Sequence, residues 1–262
     1  RGCLPSLGIK KVPFAVCAVL EESVPRAKPT NPDTRKAPWP HEKIALEERT
    51  PNQEANMAQD ETPQIYLITP PDFELSRFPT QLASVLDSHE IACVRLALAS
   101  HDEDTLCRAA DALREVTMAR DVALVIERHI LLVERLGLDG VHLTDGSRSV
   151  AKARKALGQD AIVGSFCSGS RHDGMAAGEA GADYISFGPI GDTSLDDGTQ
   201  AEFDLFDWWS QVIEVPVVAE GGLDAELITK FAPVTDFFGL GNELWSTDDP
   251  VATLARLHTA MS

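Results

Sequence analysis

The sequence predicts a (β/α)8 barrel over residues 57–262. Short β-branched runs alternate with helical stretches eight times after Met57. Roughly 200 residues is the small end of the size range for such a barrel. A doubly wound open sheet is the second alternative, but no G-x-G-x-x-G follows the first run, as a dinucleotide site there would require.

The predicted strands are short and rich in Val, Ile and aromatic side chains: 65–69, 91–97, 121–126, 139–143, 161–165, 183–187, 215–219 and 235–239. The predicted helices include 102–118, 147–157, 170–180, 223–231 and a closing helix over 248–260. In the first of these helices Leu106, Ala109 and Leu113 recur at helical spacing. Such a stripe indicates a helix that packs one apolar face on a sheet.

Residues 1–56 differ in composition from the rest of the chain. They contain eight of the 16 prolines and carry nine Lys/Arg against seven Asp/Glu. We expect this segment to be a disordered extension, or to precede the working start at Met57, and we leave it out of the barrel.

The net charge of −18, from 23 Lys+Arg against 41 Asp+Glu, excludes a broad basic face for nucleic acid. No apolar run approaches the ~18 residues of a membrane span. The five cysteines form no C-x-x-C pair, which indicates a reducing, cytoplasmic location. A phosphorylated ligand of so acidic a chain must be held by main-chain N–H groups, a few basic side chains or a bridging cation.

The glycines after predicted strands 7 and 8 predict a phosphate site. Active sites of these barrels lie at the carboxyl ends of the strands. Gly221 and Gly222 open the helix after strand 7, and Gly241 and Asn242 follow strand 8. Unhindered N–H groups there would bind an anion. The alternative is that these glycines only supply turns with positive φ.

The long loop 188–202, which contains Gly188 and Thr193, is expected to be a mobile flap over the site; a solvated surface loop is the alternative. Its acids Asp192, Asp196 and Asp197 are weak metal candidates.

Several further side chains are candidates for chemistry. Arg95 lies in an apolar strand and therefore needs an anion at the barrel mouth or a carboxylate partner; both remain open. His142 points into the barrel if Val141 faces the helices, and we expect a structural role for it. His172, near a helix start, is a candidate for catalysis or phosphate contact, or is a solvated surface residue. Cys167 is expected to be an inert thiol.

The strings IYLIT (65–69), LGLDGVHLTD (136–145), EAGADYISFGPIGDT (179–193) and VPVVAEGGLD (215–224) resemble the thiamine phosphate synthase/TenI superfamily, over roughly residues 64–245. The resemblance implies a transferase that joins an aminopyrimidine diphosphate to a thiazole phosphate with Mg²⁺ assistance. The products would be thiamine phosphate and pyrophosphate. Electrostatic stabilisation of the leaving pyrophosphate would be the main catalytic effect. The resemblance places Gly188, Thr193, Gly221 and Gly222 at phosphate and flap positions.

The sequence departs from the family pattern at its metal positions. Arg128 and Ser147 stand where the family has Mg²⁺-binding aspartates, Ser168 stands where it has a histidine, and the flap lysine is missing. Either Arg128 neutralises the phosphate in place of Mg²⁺, or Glu127 and Asp145 rebuild a shifted Mg²⁺ site.

The resemblance therefore implies a transferase with two phosphate sites. The diphosphate, or its cation, would contact Arg95, Glu127, Arg128 and Asp145. The thiazole phosphate would be held by Gly221, Gly222, Gly241 and Asn242. One alternative is a TenI-like isomerase (tautomerase) with His172 or Glu127 as acid/base. The other is a barrel that binds a phosphorylated thiamine precursor without turnover. The expected partners are small phosphorylated pyrimidines and thiazoles, with no nucleic acid and no membrane. A homo-oligomer is left open.

Overall fold

The computed structural model describes residues 62–193 and 195–262. Within them eight strands form a closed barrel in the order β1 to β8, each parallel to its neighbours. The predicted (β/α)8 barrel is confirmed, and closure excludes the doubly wound open sheet. The prediction for residues 1–56 lies outside the described residues.

The strands are β1 Gln64–Ile68, β2 Ile91–Leu96, β3 Ala123–Glu127, β4 Gly140–Leu143, β5 Ile162–Phe166, β6 Tyr184–Phe187, β7 Val217–Glu220 and β8 Phe237–Leu240. The helices are α1 Phe78–Leu86, α2 Glu103–Met118, α3 Ile130–Leu136, α4 Val150–Leu157, α5 Arg171–Glu179, α6 Phe203–Val212, α7 Ala225–Phe231, α8 Asn242–Trp245 and α9 Pro250–Thr259. Short 3₁₀ turns occupy Gly146–Ser149 and Ala232–Val234.

Four strands, β3, β5, β7 and β8, end one residue later than the sequence pattern predicts, and two of them end on a glutamate. β3 extends through Glu127 and β7 through Glu220, whereas the predicted strands ended at residues 126 and 219. Both glutamates are therefore held by strand backbone rather than by a loop. Glutamate has low strand propensity, which is why the pattern missed them.

Side chains alternate between two cores. Val141, Leu124 and Val217 face the helices, whereas Val125 and Val218 fill the barrel interior. Because both faces are buried, the strands read as nearly continuous apolar runs.

Aspartates stabilise the barrel floor and the helix starts. Asp183 and Asp236, just before β6 and β8, accept hydrogen bonds from Val163 N (2.7 Å) and Val217 N (2.7 Å) of the preceding strands. Asp224 caps α7 by accepting from Leu227 N at 2.8 Å. Removing such a cap typically costs about 1 kcal/mol.

None of the helices in the described residues combines the length and the apolar character needed to cross a membrane.

Candidate active site

Arg95 lies inside the barrel and is paired with Glu220. Its side chain points inward from β2 with the residue only 5% exposed, and Glu220, at the end of β7, is 1% exposed. The guanidinium donates from Nη2 to Glu220 Oε2 at 2.5 Å and from Nη1 to Glu220 Oε1 at 3.3 Å. Ser186 Oγ also donates to Glu220 Oε1, at 2.5 Å. Of the two environments left open for Arg95, the structure therefore has the carboxylate partner.

His142 continues this interior network and is neutral within it. Arg95 Nη1 is 2.6 Å from His142 Nε2, and since a guanidinium only donates, Nε2 must accept. The ring proton therefore lies on Nδ1 and is donated to the Tyr184 hydroxyl at 2.8 Å. Burial, followed by the nearby Arg95 charge, holds the pKa of His142 well below its usual value. The inward direction and structural role predicted for His142 are confirmed.

The network ends at a pair of tyrosines deeper in the barrel. The hydroxyls of Tyr184 and Tyr66 are 2.6 Å apart. Either hydroxyl of this pair can be the donor, because a hydroxyl that accepts from His142 can accept a second hydrogen bond. Burial raises the pKa of both tyrosines, so both remain protonated.

Arg128 lies at the mouth, beside Glu127. Its Nη2 is 3.0 Å from Glu127 Oε1, and Glu127 Oε2 is 3.9 Å from Arg95 Nε. The Arg128 side chain is 48% exposed, so it can reach a ligand above the barrel. Its backbone has φ +65°, a left-handed conformation that costs a non-glycine residue about 1–3 kcal/mol. Arg95, Glu127 and Arg128 are called the arginine cluster below.

The residues present do not fit a Mg²⁺ ion held by Glu127 and Asp145. Both Glu127 oxygens face arginines, whose charge neutralises the carboxylate. Asp145 Oδ2 accepts from Ser149 Oγ at 2.6 Å, which leaves Oδ1 as a free ligand atom. Within residues 62–193 and 195–262, no three His, Cys, Asp or Glu side chains are grouped to hold a metal ion. Mg²⁺ dependence of the reaction stays a prediction.

Main-chain donors on the other side of the mouth already hold an anion, the side chain of Glu243. Leu223 N, after β7, donates to Glu243 Oε1 at 3.2 Å, and Gly241 N, after β8, donates to Oε2 at 3.0 Å. We call the N–H groups of Leu223 and Gly241 the amide cradle. They belong to the two loops for which the sequence predicts phosphate binding, and phosphate binding itself stays a prediction.

Glycine is required at positions 221 and 222 by the backbone conformation there and by the close approach of the flap. Their φ angles are +87° and +74°. A Cβ on Gly222 would lie 2.6 Å from the carbonyl carbon of Gly191 in the flap, and one on Gly188 would lie 2.3 Å from Glu220 O. The glycines therefore supply both positive φ and close approach of the flap to the β7 loop.

The flap is tied to the β5 loop as well. Ser168 Oγ donates to Asp196 Oδ2, and both residues have left-handed backbone, with φ +50° and +54°. Thr193 is exposed on the outer part of the flap. Asp192 accepts from Gln200 Nε2 at 3.1 Å instead of joining Asp196 in a metal cluster.

The remaining candidates make none of these side-chain contacts. His172 is exposed in the first turn of α5, and Asn242 is exposed at the start of α8. Burial raises the pKa of Cys167 to about 12, as expected of an inert thiol.

Two buried polar atoms at the mouth have no hydrogen-bond partner among the described residues: Arg95 Nε and Asp145 Oδ1. The first is a donor that faces Glu127 Oε2 at 3.9 Å and the second is an acceptor, and leaving such a group unpaired typically costs about 1–3 kcal/mol.

The sequence analysis missed the roles of Glu220 and Glu243. Glu220 could have been found by extending the alternation of β7 from Val218, which faces inward, by two residues. Glu243 carries no comparable signal, because its contact depends on how two loops converge.

A family model described as thiamine monophosphate synthase matches residues 65–234. The chain belongs to this family. The resemblance seen in the sequence is thereby confirmed, and the carriers IYLIT and VPVVAEGGLD fall inside the match.

Named relatives match this chain over almost their whole length. A thiamine-phosphate synthase of Rhodospirillum centenum is 37% identical over 201 residues, covering 76% of this chain and 97% of the relative. One of Erythrobacter litoralis is also 37% identical, over 206 residues, covering 76% and 96%. Among solved structures, a thiamine phosphate pyrophosphorylase from Pyrococcus furiosus superposes with a TM-score of 0.67 at 17% identity, covering 77% of this chain and 96% of that one. At that identity the superposition supports the fold alone.

Proposed function

We propose that this chain is a thiamine-phosphate synthase that joins an aminopyrimidine diphosphate to a thiazole phosphate and releases pyrophosphate. Family membership and two relatives covered over more than nine-tenths of their length support the transferase activity. The observation that carries the assignment of residues is that two kinds of anion-binding group lie at one end of the barrel. These are the arginine cluster and the amide cradle.

The arginine cluster is the proposed diphosphate site. Arg128 is exposed at the mouth, and Arg95 Nε is a buried donor without a partner. Arginine binds phosphate oxygens with charge-assisted hydrogen bonds, often two at a time. Because Glu220 offsets the charge of Arg95, the half-exposed Arg128 is the cation of the cluster that is positioned to meet the diphosphate.

The amide cradle is the proposed site for the thiazole phosphate, together with the glycine loops around it. Main-chain N–H groups at loop ends bind anions without a basic side chain. That these two donors converge on one carboxylate supports the proposal, since a phosphate offers the same oxygen acceptors.

The proposed reaction exchanges one bond for another. The bond between the pyrimidine methylene carbon and the diphosphate oxygen breaks, and its electron pair leaves with pyrophosphate. The thiazole nitrogen then gives its lone pair to that carbon, forming the new C–N bond. The contribution of Arg128 and Arg95 is to stabilise the negative charge that develops on the leaving oxygens. The flap, held through Ser168 and Asp196, would exclude water that could otherwise capture the carbon.

No contact in the described residues favours the isomerase alternative. Its proposed acid/base His172 is exposed in the first turn of α5, and Glu127 is paired with Arg128 at 3.0 Å. The cytoplasm is the proposed location, because Cys93, Cys107 and Cys167 are free thiols in the described residues. A homo-oligomer stays a prediction that the solution mass would test.

The proposal is tested by turnover of the full chain with both substrates. Thiamine phosphate is oxidised to fluorescent thiochrome and quantified, with added Mg²⁺ and with a chelator. We expect product, and we expect Arg128→Ala to lower kcat by about a hundredfold, the loss typical of one transition-state charge contact. Arg256→Ala, an exposed arginine on α9, is the matched control and should be unchanged.

Product that survives chelation would assign the neutralising charge to Arg128. Product that needs Mg²⁺ in both the parent and Arg128→Ala would assign that charge to a metal brought with the diphosphate. Absence of product under both conditions would reject the synthase and leave the binding barrel.

A further inference from the structure

We propose that Glu243 is a resident carboxylate that the thiazole phosphate must displace, and that it sets how strongly the site prefers phosphate over alcohol at that end of the substrate. This inference rests on the proposed function, because it assigns a specificity-determining residue to the same phosphate site. The Glu243 carboxylate then competes with the thiazole phosphate for the two N–H donors of the amide cradle.

The geometry makes occupancy exclusive. Glu243 uses its two oxygens on two different loops, Oε1 on Leu223 N at 3.2 Å and Oε2 on Gly241 N at 3.0 Å. Each N–H has one proton to donate, so a phosphate oxygen can take either donor only if the carboxylate leaves it. A phosphate added beside an ionised Glu243 would also place like charges in contact.

The Glu243 carboxylate is bound in the amide cradle but can leave it toward solvent. Burial, and the nearby Glu220 carboxylate, raise the pKa of Glu243 despite the two main-chain donors. The ionised side chain therefore carries a cost in its present place. Glu243 is half-buried and follows exposed Asn242, so its side chain has a short way out to solvent.

The support beneath the cradle is independent of Glu243. Trp245, on the same short helix α8, donates from Nε1 to Ile68 O of β1 at 2.7 Å. On the other loop, Asp224 caps α7 through Leu227 N. Both loops should therefore keep their positions when the Glu243 carboxylate is removed.

A hydroxyl behaves differently from a phosphate at this point. An alcohol can donate its proton to the carboxylate, whereas a phosphate dianion can only compete with it for the N–H donors. The intact chain should therefore discriminate less between a thiazole phosphate and its alcohol than a chain without the Glu243 carboxylate does.

The test compares Glu243→Ala and Glu243→Gln with the intact chain. We expect Glu243→Ala to lower the KM for the thiazole phosphate about tenfold, which corresponds to about 1.4 kcal/mol of removed competition. Inhibition by inorganic phosphate, competitive with the thiazole phosphate, should tighten by a similar factor. Inhibition by the thiazole alcohol should not tighten. Glu243→Gln keeps the side-chain length and loses the charge, so its KM for the thiazole phosphate should lie between those of the intact chain and Glu243→Ala.

Glu226→Ala is the matched control. It removes the same charge from the exposed first turn of α7, next to the same loop, and should leave all three constants unchanged. A KM for the thiazole phosphate that rises or stays the same in Glu243→Ala would overturn the proposal. So would phosphate and alcohol shifting together, because that pattern would mean Glu243 only supports the loops.

A separate readout distinguishes this failure from failure of the proposed function. Inorganic phosphate should raise the melting temperature of Glu243→Ala more than that of the intact chain, whether or not either turns over. If neither protein gives product but this difference in melting temperature is observed, the synthase assignment fails, whereas the proposal that phosphate displaces the Glu243 carboxylate is supported. Equal shifts in the two proteins would reject the displacement.

Discussion

The two sides of the barrel mouth are built to bind negative charge in opposite ways. On the β7–β8 side the donors are main-chain N–H groups, and a carboxylate of the chain itself fills them. On the β2–β3 side the donors are the side chains of Arg95 and Arg128, which face Glu127 and Glu220. Main-chain donors are fixed by the fold, whereas the arginine cluster depends on each residue that neutralises it. Substitutions should therefore affect the arginine side more.

The largest effect is expected from Glu220, which pairs Arg95 across the barrel. Glu220→Leu leaves a buried guanidinium without its carboxylate, and we expect the free energy of unfolding to fall by about 3–5 kcal/mol. Urea denaturation measures the change. Glu226→Leu, the same substitution at an exposed position of α7, should stay within about 0.5 kcal/mol of the parent. A loss for Glu220→Leu as small as that of the control would mean the pair does not hold Arg95 in place.

The next effect depends on pH and concerns His142, the neutral support of Arg95. Its pKa is lowered in the folded chain by burial and then by Arg95. Above pH 6.5 both folded and unfolded states are neutral, and below it only the unfolded state takes up the proton. Stability should therefore fall as pH falls, by about 1.4 kcal/mol from this residue between pH 7.5 and 5.5.

His142→Gln removes that proton site while its amide can still accept from Arg95. We expect the variant to be less stable at pH 7.5 but to have a flatter dependence on pH, measured by urea unfolding at both values. Parallel pH profiles for variant and parent would contradict a neutral His142.

The smallest expected change in stability is at Arg128, where the strain of the backbone and the role of the side chain in turnover can be measured separately. Arg128→Gly relieves a left-handed φ of +65° and should raise the free energy of unfolding by about 1 kcal/mol while it impairs turnover. Asp121→Gly is the matched control, since Asp121 has φ +56° just before β3, at the opposite end of the barrel. It should gain similar stability and keep full turnover. Full turnover in Arg128→Gly would mean that the arginine side chain is not needed at the mouth.

The sequence predicted what depends on short-range pattern. The alternation of strands and helices gave the closed barrel, and period two placed His142 inside it. The left-handed turns at Gly221 and Gly222 followed from the one residue type that adopts them freely.

The pairings at the site depended on distant parts of the chain and were not predictable. Arg95 and Glu220 are 125 residues apart, so the pattern left two environments open for Arg95. Leu223 and Glu243 are 20 residues apart, and their contact depends on two loops converging at the mouth. Strand ends were also missed where a glutamate closes an apolar run, as at Glu127.

The hydrogen bonds from Arg95 through His142 and Tyr184 to Tyr66 have a consequence for proton movement. A guanidinium donates and never accepts, so the series cannot reverse at His142, whose Nε2 accepts from Arg95 and whose Nδ1 donates to Tyr184. A series that cannot reverse cannot pass protons repeatedly from one end to the other. This series therefore does not relay protons between the mouth and the floor of the barrel, and acid or base chemistry at the mouth must exchange its protons by another route.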